Sequence, residues 1–321
     1  MTIHWGMIGT GDVTELKSGP AFSKIDGSVL HAVANRTPEK AKDYARRHCI
    51  ARYYPDPMDV IRDPEVDVVY VATPPDVHSD YALACIEAGK PVYLEKPMAR
   101  TFAECQLIND AASKAGVKVW VAYYRRSLEY FLKVKELIGE GTLGRIKDLR
   151  MEQLFPARHE DLAPGKHPWR VIPEISGGGY FHDMGCHALD IVFDIFGDPQ
   201  KVEGMSQNLG KLYEADDTVD AIISLPGDVA LKANWSFVAR EGKDRVEILG
   251  KNGNLSFSIF SFEPIRLSLS SEEKSYDFER PAHIQQDHIQ SIVDELHGRG
   301  LCPSTGENAA TTSLVMDHLC S

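Results

Sequence analysis

Twelve residues, Gly179 to Asp190 (GYFHDMGCHALD), hold two histidines, a cysteine and two aspartates. Asp183 and His187 stand four apart, so on a helix both side chains share one face. A histidine near its reference pKa of about 6.5 takes or gives a proton at neutral pH, and a neighbouring carboxylate can orient its ring or bind a hydroxyl. That is the make-up of an acid–base site. Two other readings compete. His182, Asp183, Cys186 and His187 offer zinc-type ligand atoms, but the histidines are five apart, on different helical sides, and no motif completes a tetrahedral set. No metal is therefore expected. The remaining reading is a core helix beginning near Asp183, with Leu189, Val192, Phe193 and Phe196 as its apolar stripe and Asp183, His187, Asp190 and Asp194 as a solvated face. Gly177, Gly178 and Gly179 directly ahead imply close approach of another group and weigh against the core-helix reading.

A second candidate is Lys96 in Glu95-Lys96-Pro97, which follows the apolar run VYL. Ligands of open α/β sheets bind beyond the C-terminal ends of strands, where this lysine falls. Desolvation beside a cationic ring would lower its pKa, and Glu95 would act in the opposite sense. A third is GTGDVT at residues 9–14. Gly9 and Gly11 supply two glycines of a GxGxxG turn, with Thr14 at the third position. A strand before and a helix after make Gly9, Thr10, Gly11, Asp12 and Val13 a cradle for a dinucleotide pyrophosphate. An NAD-preferring site usually has an acid after the second strand. Here the chain reads Asn35-Arg36-Thr37. Asn35 does not repel a 2′-phosphate and Arg36 can pair with one, with Thr37 and Lys40 adding contacts. The expected cofactor is NADP in preference to NAD.

These residues need a scaffold. Apolar runs at His4–Ile8, Ser28–Ala34, Val66–Ala72, PVYLEKP and VKVWVAYY alternate with helical stretches. The first helix is expected over residues 12–24, and another follows Thr37 as N-cap with Pro38 at its first turn. Thr101 and Glu104 form a capping box, and Gly89 and Gly116 stand where helices stop. The rhythm predicts a doubly wound parallel α/β sheet, the Rossmann arrangement. From Leu128–Ile138 onward, longer polar strands follow: IKDLRMEQLF, TVDAIISL, VALKANWSFV, RVEILG, LSFSIF and IRLSLS. Pro226-Gly227 and Asn252-Gly253 mark hairpin turns. The second half is therefore α+β with a large, mostly antiparallel open sheet. Domains of residues 1–122 and 123–321 suit a 321-residue chain. The last helical stretch, IQQDHIQSIVDELHGRG, is expected to return toward the front.

Composition narrows the partners. The net charge of −12 and the lack of a basic run disfavour nucleic acid. No apolar stretch approaches the roughly 20 residues of a membrane helix, and no signal peptide is apparent. Six scattered cysteines without CxxC fit free thiols in a reducing cytoplasm.

In combination the partial GxGxxG, ATPPDVH (Ala72, Thr73, Pro74 through His78), EKP and GGGxxxDxGxH resemble the Gfo/Idh/MocA oxidoreductases. The similarity extends through AYYRR (122–126), GEGTLGRIKDL and GRGLCPSTGENA, over nearly the whole chain. It implies an N-terminal Rossmann domain and a C-terminal domain whose open sheet often joins subunits, hence a homodimer or homotetramer. It also implies that Lys96 contacts substrate and nicotinamide ribose, and that Asp183 and His187 line the substrate site. Trp169-Arg170 in HPWRV resembles a segment that reaches the cofactor in some relatives. Pro75 stands where many relatives have asparagine. Tyr123 and Arg125, ending the sixth strand, are candidate substrate contacts. Ala72, Thr73, Pro74, His78 and Glu95 are candidate cofactor contacts, with the alternative that His78 caps its own helix. The resulting expectation is a hydride transfer between NADP(H) or NAD(H) and a sugar, polyol, inositol or related cyclic diol. Lys96 or His187 carries the proton. Trp169, Tyr180 and Phe181 are available to stack on a flat ring, as a trans-dihydrodiol would need. Alternatives are an NAD-assisted lyase or glycosidase without net redox change, and a non-enzymatic dinucleotide-binding sensor.

Overall fold

The computed structural model describes residues 2–163, 165 and 167–320. The chain forms two compact units. One comprises Met1–Ser127 and Pro281–Ala310, the other Leu128–Arg280 and Thr311–Ser321.

The first unit is built on β1 (Ile3–Ile8), β2 (Ser28–Ala34), β3 (Arg52–Tyr54), β4 (Val68–Val71), β5 (Val92–Leu94) and β6 (Val119–Val121), in the order β3-β2-β1-β4-β5-β6. Every pairing is parallel. β4, β5 and β6 are buried at every residue, which is why they read as unbroken apolar runs rather than alternating ones. Strand order reverses between β1 and β4, so the loops leaving those strands border the crevice where such sheets bind ligands. The core joins Trp5, Phe22, Tyr70, Tyr93 and Trp120 to Ile289, Ile292 and Val293. These last three lie on the helix Gln286–Leu296, which returns to this unit.

Several local expectations needed correction. Residues 12–24 form two short helices, Asp12–Leu16 and Gly19–Phe22. A side chain at Gly19 would stand 2.1 Å from the Tyr44 hydroxyl, which donates to the Thr14 carbonyl (2.7 Å) and so withdraws it from a continuing helix. Pro20 also lacks an N–H. Thr37 precedes its helix without a side-chain cap bond. The capping box is half formed: Thr101 accepts from the Glu104 amide (3.2 Å), but Glu104 reaches the Arg100 amide (3.0 Å) instead of that of Thr101.

The second unit carries one eight-stranded sheet: β7 (Ile146–Leu154), β8 (Lys201–Gln207), β9 (Thr218–Leu225), β10 (Val229–Ser236), β11 (Lys243–Gly250), β12 (Gly253–Phe257), β13 (Ile265–Leu269) and β14 (Glu273–Tyr276). Its order is β14-β13-β12-β11-β7-β10-β9-β8. The β7–β10 pair is parallel and the other pairs are antiparallel. β10 alternates, with Val229, Leu231, Ala233 and Trp235 buried and Lys232 exposed between them. That is the pattern of a sheet packed on one face. Phe181 packs edge-on to Trp235 and Phe131 edge-on to Phe257, which places helical segments on the buried side.

Candidate active site

The first unit gathers its candidates at the C-terminal edge of the sheet. Gly9, directly after β1, has φ +104°, and a Cβ there would lie 2.5 Å from the Ala72 carbonyl oxygen. Only glycine fits where the two crevice loops touch. Around Gly11 nothing lies within 4 Å of a Cβ position, so the loop backbone is open to a ligand. Thr14, at the third motif position, is fully buried, and its hydroxyl donates to the Gly11 carbonyl (2.8 Å). The threonine therefore closes the loop from within and leaves its outer side clear. The Thr73 hydroxyl, at the end of β4 beside Pro74, is buried with no protein partner. The Asn35 carboxamide is engaged at both ends: its Nδ2 donates to Thr10 Oγ1 (2.9 Å) and its Oδ1 accepts from the Thr37 amide (2.9 Å). Arg36, Thr37 and Lys40 beyond it are exposed. An open glycine loop and an orphan hydroxyl at these strand ends fit a nicotinamide dinucleotide.

Lys96 is half-buried at the end of β5, and the Lys96–Pro97 peptide is cis. Two expected cofactor contacts here do other work. Glu95 is 6% exposed, and its carboxylate accepts from the Tyr70 hydroxyl (2.7 Å), Gln285 Nε2 (2.6 Å) and the Lys96 amide (3.1 Å). It points into the core beneath the lysine rather than toward a ligand. Burial, followed by the charge of Glu95, pushes the Tyr70 phenol well above its ordinary pKa, so it stays a donor. His78 is fully buried. Its Nε2 lies 2.9 Å from the Thr73 carbonyl oxygen and its Nδ1 3.1 Å from that of Pro97. The ring ties the loops after β4 and β5 together and neither caps its helix nor faces a ligand. Burial holds its pKa below the usual value. Tyr123 and Arg125, just past β6, are both buried, the latter 3% exposed.

In the second unit the acid–base stretch is not one regular helix. Phe181–Gly185 is a π-turn that runs into the α-helix Cys186–Phe196. The solvated face of the core-helix alternative does not form as a whole: Asp183 and Asp194 are half-buried, whereas His187 and Asp190 are 5% and 1% exposed, like Leu189 and Val192 beside them. The helix is buried around its circumference because it passes through the unit's core rather than over it. Asp183, on the π-turn, is half-buried and forms an ion pair with Arg170 Nε (3.1 Å). The Arg170 guanidinium stands 4.6 Å from the centroid of Trp169. The sequence thus placed two partners of one ion pair in different roles. His182 is buried and its ring fills the space above Gly178, where a Cβ would come within 2.3 Å of it. Burial drives its pKa down to about 4, so it is a neutral core residue. His187 meets Phe260 edge-on at 6.1 Å. Tyr180 and Phe181, considered for stacking on substrate, are 1% and 0% exposed and pack on Phe237 and Trp235 instead.

Among the described residues, three potential metal ligands converge at His31, Asp63 and Glu65, not within 182–187. Arg52 already pairs with both carboxylates of that group. Sequence reasoning missed Tyr70, Tyr93 and Gln285 around Glu95. Gln285 lies 190 residues away from it in the chain, so no local pattern could reveal it.

Comparison with known proteins agrees with this geometry. Residues 3–123 match the family model described as "Oxidoreductase family, NAD-binding Rossmann fold", and residues 131–256 match the GFO/IDH/MocA C-terminal domain. The chain is 38% identical over 319 residues to Oxidoreductase P35 of Formosa agariphila, covering 99% of this chain and 98% of that one. It is 28% identical to trans-1,2-dihydrobenzene-1,2-diol dehydrogenase of Xenopus laevis, over 86% and 82% of the two chains. A solved levoglucosan dehydrogenase in complex with NADH and levoglucosan shares the fold, with a TM-score of 0.88 at 22% identity over 99% and 96% of the chains. The two matched domains, on a strand order and a glycine loop of the nicotinamide-binding kind, make this chain a member of the GFO/IDH/MocA oxidoreductase family.

Proposed function

We propose that the protein moves a hydride between NADP(H), with NAD(H) as the alternative, and a carbon-bound hydroxyl of a sugar, polyol, inositol or related cyclic diol. One observation carries this reading: Lys96 leaves the sheet above a buried, fully hydrogen-bonded Glu95, on the same strand-end edge as the open Gly9–Gly11 loop and the orphan Thr73 hydroxyl. The bound nicotinamide supplies the hydride acceptor or donor at its C4. The chain does the rest. Backbone amides of Gly9 to Val13 hold the pyrophosphate, and Arg36 with Thr37 and Lys40 pairs with a 2′-phosphate. Lys96 hydrogen-bonds the reacting oxygen and stabilises its alkoxide character. The hydroxyl proton passes to Lys96 or to His187. Asp183, held by Arg170, orients a substrate hydroxyl or the His187 ring. The names of the relatives support a ring bearing hydroxyl groups, since a dihydrobenzenediol and levoglucosan share that feature.

The exposed side of the second unit's sheet carries Met205 and Ile222, 58% and 50% exposed, which supports a homodimer or homotetramer joined through this sheet. The six cysteines are free thiols, in keeping with a cytoplasmic setting. The test is a screen of NADP and NAD reduction over cyclic diols, inositols and sugars, with the reverse reaction on the matching carbonyls. Turnover is expected on a ring alcohol, with a lower KM for NADP than for NAD. Tight NADPH binding without turnover on any of them would replace this reading with a dinucleotide sensor.

A further inference from the structure

We propose that Gln285 is a positioning residue for Lys96, acting through the buried carboxylate of Glu95. Gln285 is 1% exposed and immediately precedes the helix Gln286–Leu296. A primary amide buried in an apolar core is unfavourable unless both of its ends are bonded. Here both are. The Tyr93 hydroxyl donates to Gln285 Oε1 (2.9 Å), which fixes the amide orientation and turns Nε2 toward Glu95 Oε1 (2.6 Å). Tyr70 donates to the same carboxylate oxygen (2.7 Å), and the Lys96 amide donates to the other (3.1 Å). Burial raises both phenols well above their ordinary pKa, so Tyr70 and Tyr93 remain donors throughout the working pH range.

The three donors hold the Glu95 carboxyl in one orientation. It sits one peptide away from Lys96 and is bonded to that residue's own amide. The network therefore anchors the backbone from which the lysine side chain leaves the sheet. The EKP tripeptide alone cannot do this, because its carboxyl would be buried without enough partners. The helix that returns to the first unit supplies the missing donor.

The positioning stands on the hydrogen bonds themselves. Its consequence for turnover rests on the proposed role of Lys96 at the reacting oxygen. Competitive amine labelling of the full-length protein across the alkaline range, read by mass spectrometry on the Lys96 peptide, measures the lysine without turnover. Gln285→Met removes one donor at similar volume, and Tyr70→Phe removes another with little steric change. Both variants are expected to change the Lys96 labelling rate several-fold, because the backbone that carries it is no longer held, while an exposed lysine such as Lys40 keeps its own rate. The pH profile of hydride transfer should change with it. Unchanged Lys96 labelling in both folded variants would overturn the proposal. Changed labelling combined with a Lys96→Met enzyme that retains turnover would leave the positioning role standing and remove Lys96 from the chemistry.

Discussion

Two sets of polar side chains are held by different means. In the first unit Glu95, Asn35 and His288 are matched by neutral partners, although the Thr73 hydroxyl has none. Glu95 accepts three hydrogen bonds, the Asn35 amide uses both ends, and His288 lies between the Ser127 hydroxyl (3.0 Å) and the Val121 carbonyl (3.1 Å). In the second unit the groups around the π-turn are incompletely matched. His182 keeps a buried nitrogen without a partner, the Tyr213 hydroxyl has none, and Asp183 relies on an ion pair whose side chains are 15% and 30% exposed. A saturated network is rigid and sets electrostatics, whereas a partly open one can adjust to what it meets. The contrast sets a saturated network beneath Lys96 against an adjustable one around Asp183.

The largest expected effect tests that division directly. Lys96→Met should lower kcat by about 10²–10⁴ with NADPH affinity little changed in a fluorescence titration, since it removes a proton-transfer contact and leaves the pyrophosphate cradle intact. Asp183→Asn should act mainly on KM for the polyol. If the two variants lose kcat equally, the contrast between a fixing network at Lys96 and an accommodating one at Asp183 collapses.

Acid stability comes next. His182 and His288, one in each unit, are both held near a pKa of about 4 by burial, against an ordinary value of 6.5. The folded state keeps both rings neutral while the unfolded chain takes up protons below about 6.5. Stability is therefore complete above pH 6.5 and falls as pH drops toward 4. The loss is on the order of 3 kcal/mol per histidine. Urea melts over that window should steepen accordingly, and replacing either histidine by leucine should remove one proton from the slope. At neutral pH the two substitutions should differ. His288→Leu strips partners from Ser127 and Val121 and should cost about 2 kcal/mol, whereas His182→Leu discards an already orphaned nitrogen and should be nearly neutral. Equal losses would mean that the hydrogen-bond contrast between the two histidines has no energetic weight.

Legibility in the sequence divides along similar lines. Ser28–Ala34 and Thr218–Leu225 form strands over the residues their apolar patterns mark, because burial on a sheet imposes those patterns. β3 and β14, the outermost strands of the first sheet and of one side of the second, escape such a reading. RYY and EKSY are largely exposed and carry no periodicity. The glycine loop and Lys96 could be found because strand ends advertise ligand positions. The partners of Glu95 could not, since Tyr70 and Gln285 meet it only through tertiary folding. The π-turn at Phe181–Gly185 was equally hidden. Its wider hydrogen-bond spacing leaves the residue types unchanged, so the stretch reads as an amphipathic helix although its surroundings bury it on every side.

The smallest effect is the most discriminating. Arg170 and Asp183 form a charged pair at 3.1 Å, partly open to solvent, whereas Gln285 and Glu95 form a buried pair at 2.6 Å in which the donor is neutral. Solvent screening should limit the first coupling to about 1 kcal/mol in a double-mutant cycle of Arg170→Met with Asp183→Asn, read on kcat/KM. Added salt should erode that coupling, because a Debye length of about 3 Å at molar ionic strength is comparable to the pair distance. The corresponding cycle of Gln285→Met with Glu95→Gln should be larger and indifferent to salt, since no mobile ion reaches the buried carboxylate. A salt-insensitive Arg170–Asp183 coupling would mean that the second unit sets its carboxylate as rigidly as the first. Asp183 would then belong with Lys96 among the groups that fix the chemistry.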